Sequence, residues 1–248
     1  MIVKGAPRSF LLSAALTRAG LALLRANPPG GAARWQRENH AGRSVGLHAG
    51  PAAALGAAGA VARVCPGAGL AVLAAGVCGA YDDVAGDHRR GFRAHLRALR
   101  DGEVTSGAVK LFGISAAGLV AGALMKERLP DKVLAGVVIA GAAHFVNLVD
   151  VRPGRAAGAV LALGAPGLLR EGPAAGLSAA AMGAAAAVLP DDVGERAMIG
   201  DTGAHALGAA LGAAVVAGNR RAGLLAHAVA VVAAAVHGDR VSAWVRAL

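Results

Sequence analysis

The sequence contains few charged and few aromatic residues. Only 16% of its 248 residues are Asp, Glu, Lys or Arg and 3% are Phe, Trp or Tyr, whereas 56% are hydrophobic. Because a soluble domain usually has about a quarter charged residues, this composition argues against a soluble protein. Alanine and glycine dominate, and such small side chains allow membrane helices to approach closely. We therefore predict an all-α fold, a polytopic integral membrane helical bundle in which residues 1–248 form a single transmembrane domain.

Cysteine is also scarce, and the basic residues are not accompanied by aromatic ones. Cys65 and Cys78 show neither a Cys-x-x-Cys spacing nor a nearby histidine cluster, so we predict neither a disulfide nor a thiolate metal site. The formal net charge is +10, but the basic segments lack stacking aromatic side chains, which argues against a nucleic-acid partner. Lys and Arg beside membrane spans more often report orientation.

Apolar segments recur along the whole chain. A helix needs roughly 17–25 apolar residues to cross the hydrocarbon core, and we predict about nine spans, several of them short. They cover residues 9–25, 50–64, 67–81, 107–125, 132–149, 156–170, 174–189, 202–218 and 221–238. Most of the Lys and Arg residues lie in the loops at about 26–49, 82–106, 150–155 and 190–200 and in the tail 239–248. By the positive-inside rule, we expect these loops to be cytoplasmic and the chain to be a multi-pass protein of the inner (plasma) membrane.

Two adjacent aspartates, Asp82 and Asp83, end the third predicted span. Like charges repel each other, and a divalent cation or a nearby basic group relieves that repulsion. Carboxylates are natural ligands of Mg²⁺, which also binds substrate phosphates. The alternative is a pair of solvated acids at the end of a helix.

A second polar segment, HFVNLVDVR, lies two spans further on, so it returns to the face of Asp82. His144, Asn147 and Asp150 are spaced i, i+3 and i+6, and on a helix they follow roughly one face. Arg152 comes next and could hold an anionic group. The alternative is a loop whose arginines only set the orientation.

Three more segments place polar residues on that face. Asp201 opens GDTGAHALG, where it either helps to bind anions at a helix start or simply caps that helix. His205, one turn later, either faces the same site or is a buried core histidine. Asn39, in the polar loop ENHAGRS, could contact a nucleotide or a lipid phosphate. Lys110 either contacts a phosphate or extends its ammonium to the membrane interface.

Taken together, the chain resembles the polyprenyl-phosphate N-acetylhexosamine-1-phosphate transferase superfamily, which includes phospho-N-acetylmuramoyl-pentapeptide transferase and the WecA-like transferases. The resemblance covers most of the chain and consists of five segments in the same order. They are RENHAGRSVGLHAGPAAALG, AYDDVAG, SGAVKLFGI, HFVNLVD and MIGDTGAHALG.

The resemblance implies transfer of a sugar-1-phosphate from a UDP-sugar to a polyprenyl phosphate, with release of UMP, Mg²⁺ as cofactor and a cytoplasmic active site. It implies catalytic roles for Asp82, Asp83 and Asp201, the last two also as metal ligands. It places Asn147 and Asp150 near the nucleotide and the metal, and Lys110 matches the family's lysine after the paired aspartates. With the residues singled out above, the expected substrate-binding set is Asn39, Lys110, Asn147, Asp150, Arg152 and His205.

Two departures from the family pattern keep another function open. His144 stands where the family has an asparagine, and no histidine-rich loop follows the ninth predicted span. The alternative is a catalytically inactive relative that binds the lipid carrier or scaffolds a cell-envelope assembly, with a second copy or a cell-envelope protein as partner. A transporter fits less well, since its charges would lie nearer mid-span.

Overall fold

The structure, a computed structural model, describes residues 5–86 and 97–247, and these confirm the all-α prediction. The helices are α1 (Ala6–Ala26), α2 (Ala49–Val64), α3 (Pro66–Ala85), α4 (Ser106–Met125), α5 (Leu129–Val149), α6 (Arg155–Gly164), α7 (Pro173–Val193), α8 (Gly200–Gly218), α9 (Arg221–Val236) and α10 (Gly238–Ala247). A 3₁₀ turn, Ala165–Leu169, extends α6. Residues 87–96 of the predicted loop 82–106 lie outside the described residues.

The predicted loop 26–49 contains regular structure that the sequence did not indicate. A 3₁₀ helix (Ala32–Trp35) leads into two antiparallel strands, β1 (Gln36–Glu38) and β2 (Ser44–Gly46). The hairpin is tied to the segment before α8, because the N–H of Met198 donates to the carbonyl of Gly46 at 2.9 Å. It therefore lies at the end of the bundle where α8 begins.

Among the described residues, five helices are long and apolar enough to cross a membrane: α1, α3, α4, α5 and α7. The bent pair α9–α10 makes a sixth if it is counted as one span. These helices support a helical membrane protein. All nine predicted segments fall on helices, but α2 and α6 are short.

The centre of the bundle is α8, which packs against α2, α3, α5 and α7. Its neighbours approach closely because the contact positions are glycine. A Cβ added at Gly208 would lie 2.4 Å from the carbonyl oxygen of Ala142, and one at Gly212 would lie 2.8 Å from the Cα of Ile139. These glycines serve helix packing, as membrane bundles use small residues.

The predicted tail 239–248 contains a helix. Gly238–Ala247 forms helix α10, which is bent by 83° from α9. Polar residues such as Arg240 and Arg246 alternate with apolar ones at helical spacing, while Trp244 is 65% exposed. The hydroxyl of Ser242 donates to the carbonyl oxygen of Leu148 at 2.7 Å, which ties α10 to the end of α5.

Candidate functional site

Three charged side chains from three different helices come into contact at the end of the bundle where α8 begins. Asp82 lies in the last turn of α3, Lys110 near the start of α4, and Asp201 in the first turn of α8. The Lys110 ammonium donates to Asp82 Oδ2 at 2.6 Å and also to Asp201 Oδ2. One ammonium therefore faces two carboxylates. We call these three residues the carboxylate–lysine centre.

Asp83 is directed elsewhere and caps α8. Its carboxylate accepts hydrogen bonds from the backbone N–H groups of Asp201 and Thr202, both at 3.0 Å, and from the Thr202 hydroxyl at 2.5 Å. A negative charge at a helix start is stabilised by the free N–H groups and the helix dipole. The two adjacent aspartates thus have separate partners. Asp83 fixes the position of α8, and Asp82 and Asp201 bind the Lys110 ammonium.

Two glycines make this docking possible. Gly200 has a φ of 54°, a left-handed conformation that favours glycine, and a Cβ there would lie 2.9 Å from Asp83 Oδ1. On α3, a Cβ at Gly79 would lie 2.3 Å from the carbonyl oxygen of Asp201. The close contact between α3 and α8 therefore depends on the absence of side chains at both positions.

A cavity of about 180 Å³ opens beside the hairpin, at the ends of α5 and α7. Three of the predicted substrate-binding residues line it: Asn39, Asp150 and Arg152. The other charged residues in its wall are Glu38, Asp192 and Glu195, so acidic side chains outnumber basic ones. We call it the acidic cleft.

The acidic cleft and the carboxylate–lysine centre interact electrostatically. Burial, followed by the nearby charges of Asp192, Asp201 and Asp83, raises the pKa of Asp150 well above its usual value. Two of those carboxylates belong to residues beside or within the centre. The cleft and the centre are therefore parts of one acidic region.

Asn39 has a clear structural role at the rim of the cleft. Its carbonyl oxygen accepts from the N–H groups of Ala41 and Arg43, both at 2.9 Å, which closes the hairpin turn. Its amide nitrogen donates to Glu195, and Arg43 pairs with the same carboxylate at 3.3 Å. These contacts fix the hairpin against the end of α7.

The histidine predicted to bind substrate is fully buried. His205 lies one turn after Asp201, and its Nδ1 is 2.7 Å from the Asp201 carbonyl oxygen, which makes Nδ1 the donor. Its ring packs edge-to-face on His144, with the ring centroids 5.4 Å apart. Neither His205 nor Asn147, which is half-buried near the end of α5, lines the acidic cleft.

Sequence reasoning missed a second aspartate pair at the end of α7. Asp191 is 3% exposed and accepts from Arg18 at 2.5 Å and from Arg25 at 2.9 Å, both on α1, and from Arg196 at 3.2 Å. Asp192 accepts from the N–H of Gly154 at 2.7 Å, which shapes one wall of the acidic cleft. The available signal was the doublet itself, because it ends an apolar helix just as Asp82 and Asp83 do.

Within residues 5–86 and 97–247, no group of three or more His, Cys, Asp and Glu side chains is arranged to hold a metal ion. The predicted ligands Asp83 and Asp201 point to different partners, since Asp83 caps α8. Asp82 and Asp201, in contrast, face one cationic group and also interact with each other. Two carboxylates, completed by water and substrate phosphates, are a donor set that suits Mg²⁺.

No protein-family model matches the chain, and neither does any curated protein.

Proposed function

We propose that this chain transfers a sugar-1-phosphate from a UDP-sugar to a polyprenyl phosphate at the cytoplasmic face of the inner membrane, releasing UMP. The observation that carries the proposal is the position of the Lys110 ammonium between Asp82 and Asp201. Ionisable groups within membrane-spanning helices are costly and usually functional, and Asp82 and Lys110 lie within α3 and α4. The resemblance in sequence, with these residues in the same five segments, is the further support.

The acidic cleft is the proposed site for part of the donor. Its volume of about 180 Å³ is below the roughly 300–1,000 Å³ of a pocket that encloses a whole ligand. Arg152 in its wall could pair with a phosphate oxygen. Because acidic groups outnumber basic ones there, a diphosphate needs a cation in order to enter.

Mg²⁺ is the proposed cofactor, and Asp82 and Asp201 are the residues that would hold it. When bound, it would neutralise the charge of the diphosphate and of the leaving group. Asp83 keeps the start of α8 in position, because its carboxylate holds the N–H groups of Asp201 and Thr202. Lys110 then supplies an ammonium beside the reacting phosphates.

We further propose nine membrane crossings with the carboxylate–lysine centre on the cytoplasmic side. Besides the five helices that are sufficiently long and apolar, α9 would then cross as well, and α2, α6 and α8 would cross within the bundle, where neighbouring helices shield them. A helix that contacts protein on most sides requires less hydropathy than one that contacts lipid. Cysteine labelling from outside intact cells tests the orientation: labelling at Arg100→Cys would contradict it.

The same geometry favours one competing function. Lys110 already neutralises part of the charge of Asp82 and Asp201, so the centre would also serve as a buried ion cluster that holds α3, α4 and α8 together. The competing function is a non-catalytic relative that binds the lipid carrier or scaffolds a cell-envelope assembly.

One experiment separates the two functions. Purified chain is incubated with Mg²⁺, a polyprenyl phosphate and a panel of UDP-sugars, and UMP release is measured. We expect UMP from at least one donor, its loss in Asp201→Asn, and its retention in Asp101→Asn, which changes an exposed carboxylate. If no donor yields UMP above the Asp201→Asn background while the lipid phosphate still binds, the non-catalytic function holds instead.

A further inference from the structure

A second cavity lies at the opposite end of the bundle. Its volume is about 540 Å³, and it is formed where α4 ends and α5 begins, and where α8 ends and α9 begins. The carboxylate–lysine centre lies at the other ends of α4 and α8, one helix length or about 30 Å away. Its charged lining residues are Lys126, Glu127, Arg128, Asp131, Arg220 and Arg221. We call it the basic pocket.

Basic side chains outnumber acidic ones in this pocket by four to two. Arg221 forms a salt bridge with Asp131, in which its Nε and Nη2 donate to the two carboxylate oxygens at 2.6 and 3.1 Å. Lys126 donates to the carbonyl oxygen of Asn219 at 3.0 Å, an acceptor without charge. Arg128 and Arg220 are exposed at the ends of their loops. The wall therefore retains excess positive charge.

We propose that the basic pocket binds the phosphate group of an anionic phospholipid in the leaflet opposite the carboxylate–lysine centre. Arginine guanidinium groups match phosphate oxygens in geometry and charge, and basic pockets between membrane helices bind lipid headgroups. The starts of α5 and α9 lie in the pocket wall, so their dipoles add to the positive potential.

The surroundings of the basic pocket favour a lipid over a soluble anion. Leu124 and Leu129, beside the pocket, are 66% and 73% exposed. These side chains extend the apolar surface of α4 and α5 up to the charged wall. A phospholipid matches both the charged wall and the apolar surface, since its phosphate would pair with the arginines and its acyl chains would cover the leucines. This proposal is independent of the transferase reaction.

The test measures lipid binding to the full chain by native mass spectrometry in a neutral detergent. Wild type is titrated with short-chain phosphatidylglycerol, with phosphatidylcholine and, in a separate arm, with glycerol phosphate. The site variant is Arg128→Gln/Arg220→Gln. The matched control is Arg8→Gln/Arg63→Gln, which removes the same charge from exposed positions at the same end of the bundle.

We expect wild type to prefer phosphatidylglycerol, and the site variant to bind it about 30-fold more weakly, from about 1 kcal/mol for each arginine at a membrane surface. The control should stay within about twofold, and both variants should keep the wild-type melting temperature. Equal losses in the two variants, or no preference for phosphatidylglycerol over phosphatidylcholine, would overturn the proposal. Glycerol phosphate binding as tightly as phosphatidylglycerol would overturn the assignment to a lipid and identify a soluble phosphate ligand.

Discussion

The carboxylate of Asp83 accepts hydrogen bonds from both the backbone N–H and the hydroxyl of Thr202, and so ties the end of α3 to the start of α8. The neighbouring Asp82 instead binds Lys110 of α4. Successive helical residues point about 100° apart. Two adjacent like charges can therefore serve separate partners, one structural and one available for chemistry.

Asp83→Asn should destabilise the protein, although it leaves the three side chains of the carboxylate–lysine centre unchanged. The amide keeps one acceptor oxygen, but its NH2 group would face a hydrogen-bond donor of Asp201 or Thr202, which should cost about 1–2 kcal/mol. The melting temperature, followed by tryptophan fluorescence in detergent, should fall by several degrees. Asp101→Asn, which removes a charge from an exposed position, should melt like wild type. A matching drop in Asp101→Asn would show a general charge effect instead.

Gly79→Ala and Gly200→Ala should each separate α3 from α8. The new methyl group would lie 2.3 Å from a backbone oxygen in the first variant and 2.9 Å from Asp83 in the second. Overpacking of this kind costs about 1–3 kcal/mol. Gly158→Ala, in α6, meets no atom within 4 Å and should be neutral or slightly stabilising. Melting temperatures of the three variants decide the matter.

Asp191→Asn should weaken the contact between α1 and α7. Arg18 and Arg25 would lose their charged acceptor, and we expect a loss of about 2–3 kcal/mol, since hydrogen bonds to charged groups are the stronger ones. Asp239→Asn, at an exposed position of α10, is the control. In a double-mutant cycle, Arg18→Gln should cost much less in the Asp191→Asn background. Additive losses would mean that the two side chains are not coupled.

The stability difference between Asp150→Asn and wild type should grow with pH. The pKa of Asp150 is raised in the folded protein, mainly by burial. Its contribution to stability is therefore complete below the usual aspartate pKa and is lost as the pH rises through the raised value. The asparagine variant does not ionise, so its stability relative to wild type should increase as the pH rises from about 4, the usual aspartate pKa, through the raised pKa of Asp150. A difference in melting temperature that stays constant over this range would contradict burial of the Asp150 carboxyl.

Replacing the lysine should reveal the affinity of the centre for a divalent cation. In Lys110→Met, Asp82 and Asp201 face each other without the ammonium that now lies between them. Millimolar Mg²⁺ should then raise the melting temperature of Lys110→Met more than that of wild type. The double variant Lys110→Met/Asp201→Asn should lose the extra response. Equal responses in all three proteins would argue against a metal site at these two carboxylates.

The helices were predictable because each apolar segment carries its own hydrophobic signal. The sequence also predicted that Asp82, Lys110 and Asp201 lie at the same end of the bundle, since an even number of spans returns the chain to that end; it did not predict that they contact one another. It could not predict that Asp83 would cap α8, because that depends on the relative rotation of two helices. The ion pair between Arg18 and Asp191 joins residues 173 positions apart, which no local pattern reveals.

Two features of the chain limited the prediction of its membrane topology. Lys126, Arg128, Arg220 and Arg221 lie at the end of the bundle predicted to be extracytoplasmic, where they weaken the charge bias. In the basic pocket these four residues would bind an anionic headgroup, a role that the positive-inside rule does not take into account. The number of crossings could not be derived from hydropathy alone, because α8 is enclosed by other helices.

The bend before α10 has a mechanical consequence for the site. Trp244 is exposed on this amphipathic helix, and tryptophan side chains prefer the headgroup level of a bilayer. Ser242, two residues earlier, is hydrogen-bonded to Leu148, close to Asp150 at the rim of the acidic cleft. If α10 lies at the water–lipid boundary, its hydrogen bond to Leu148 would set the depth at which the acidic cleft opens relative to the headgroups.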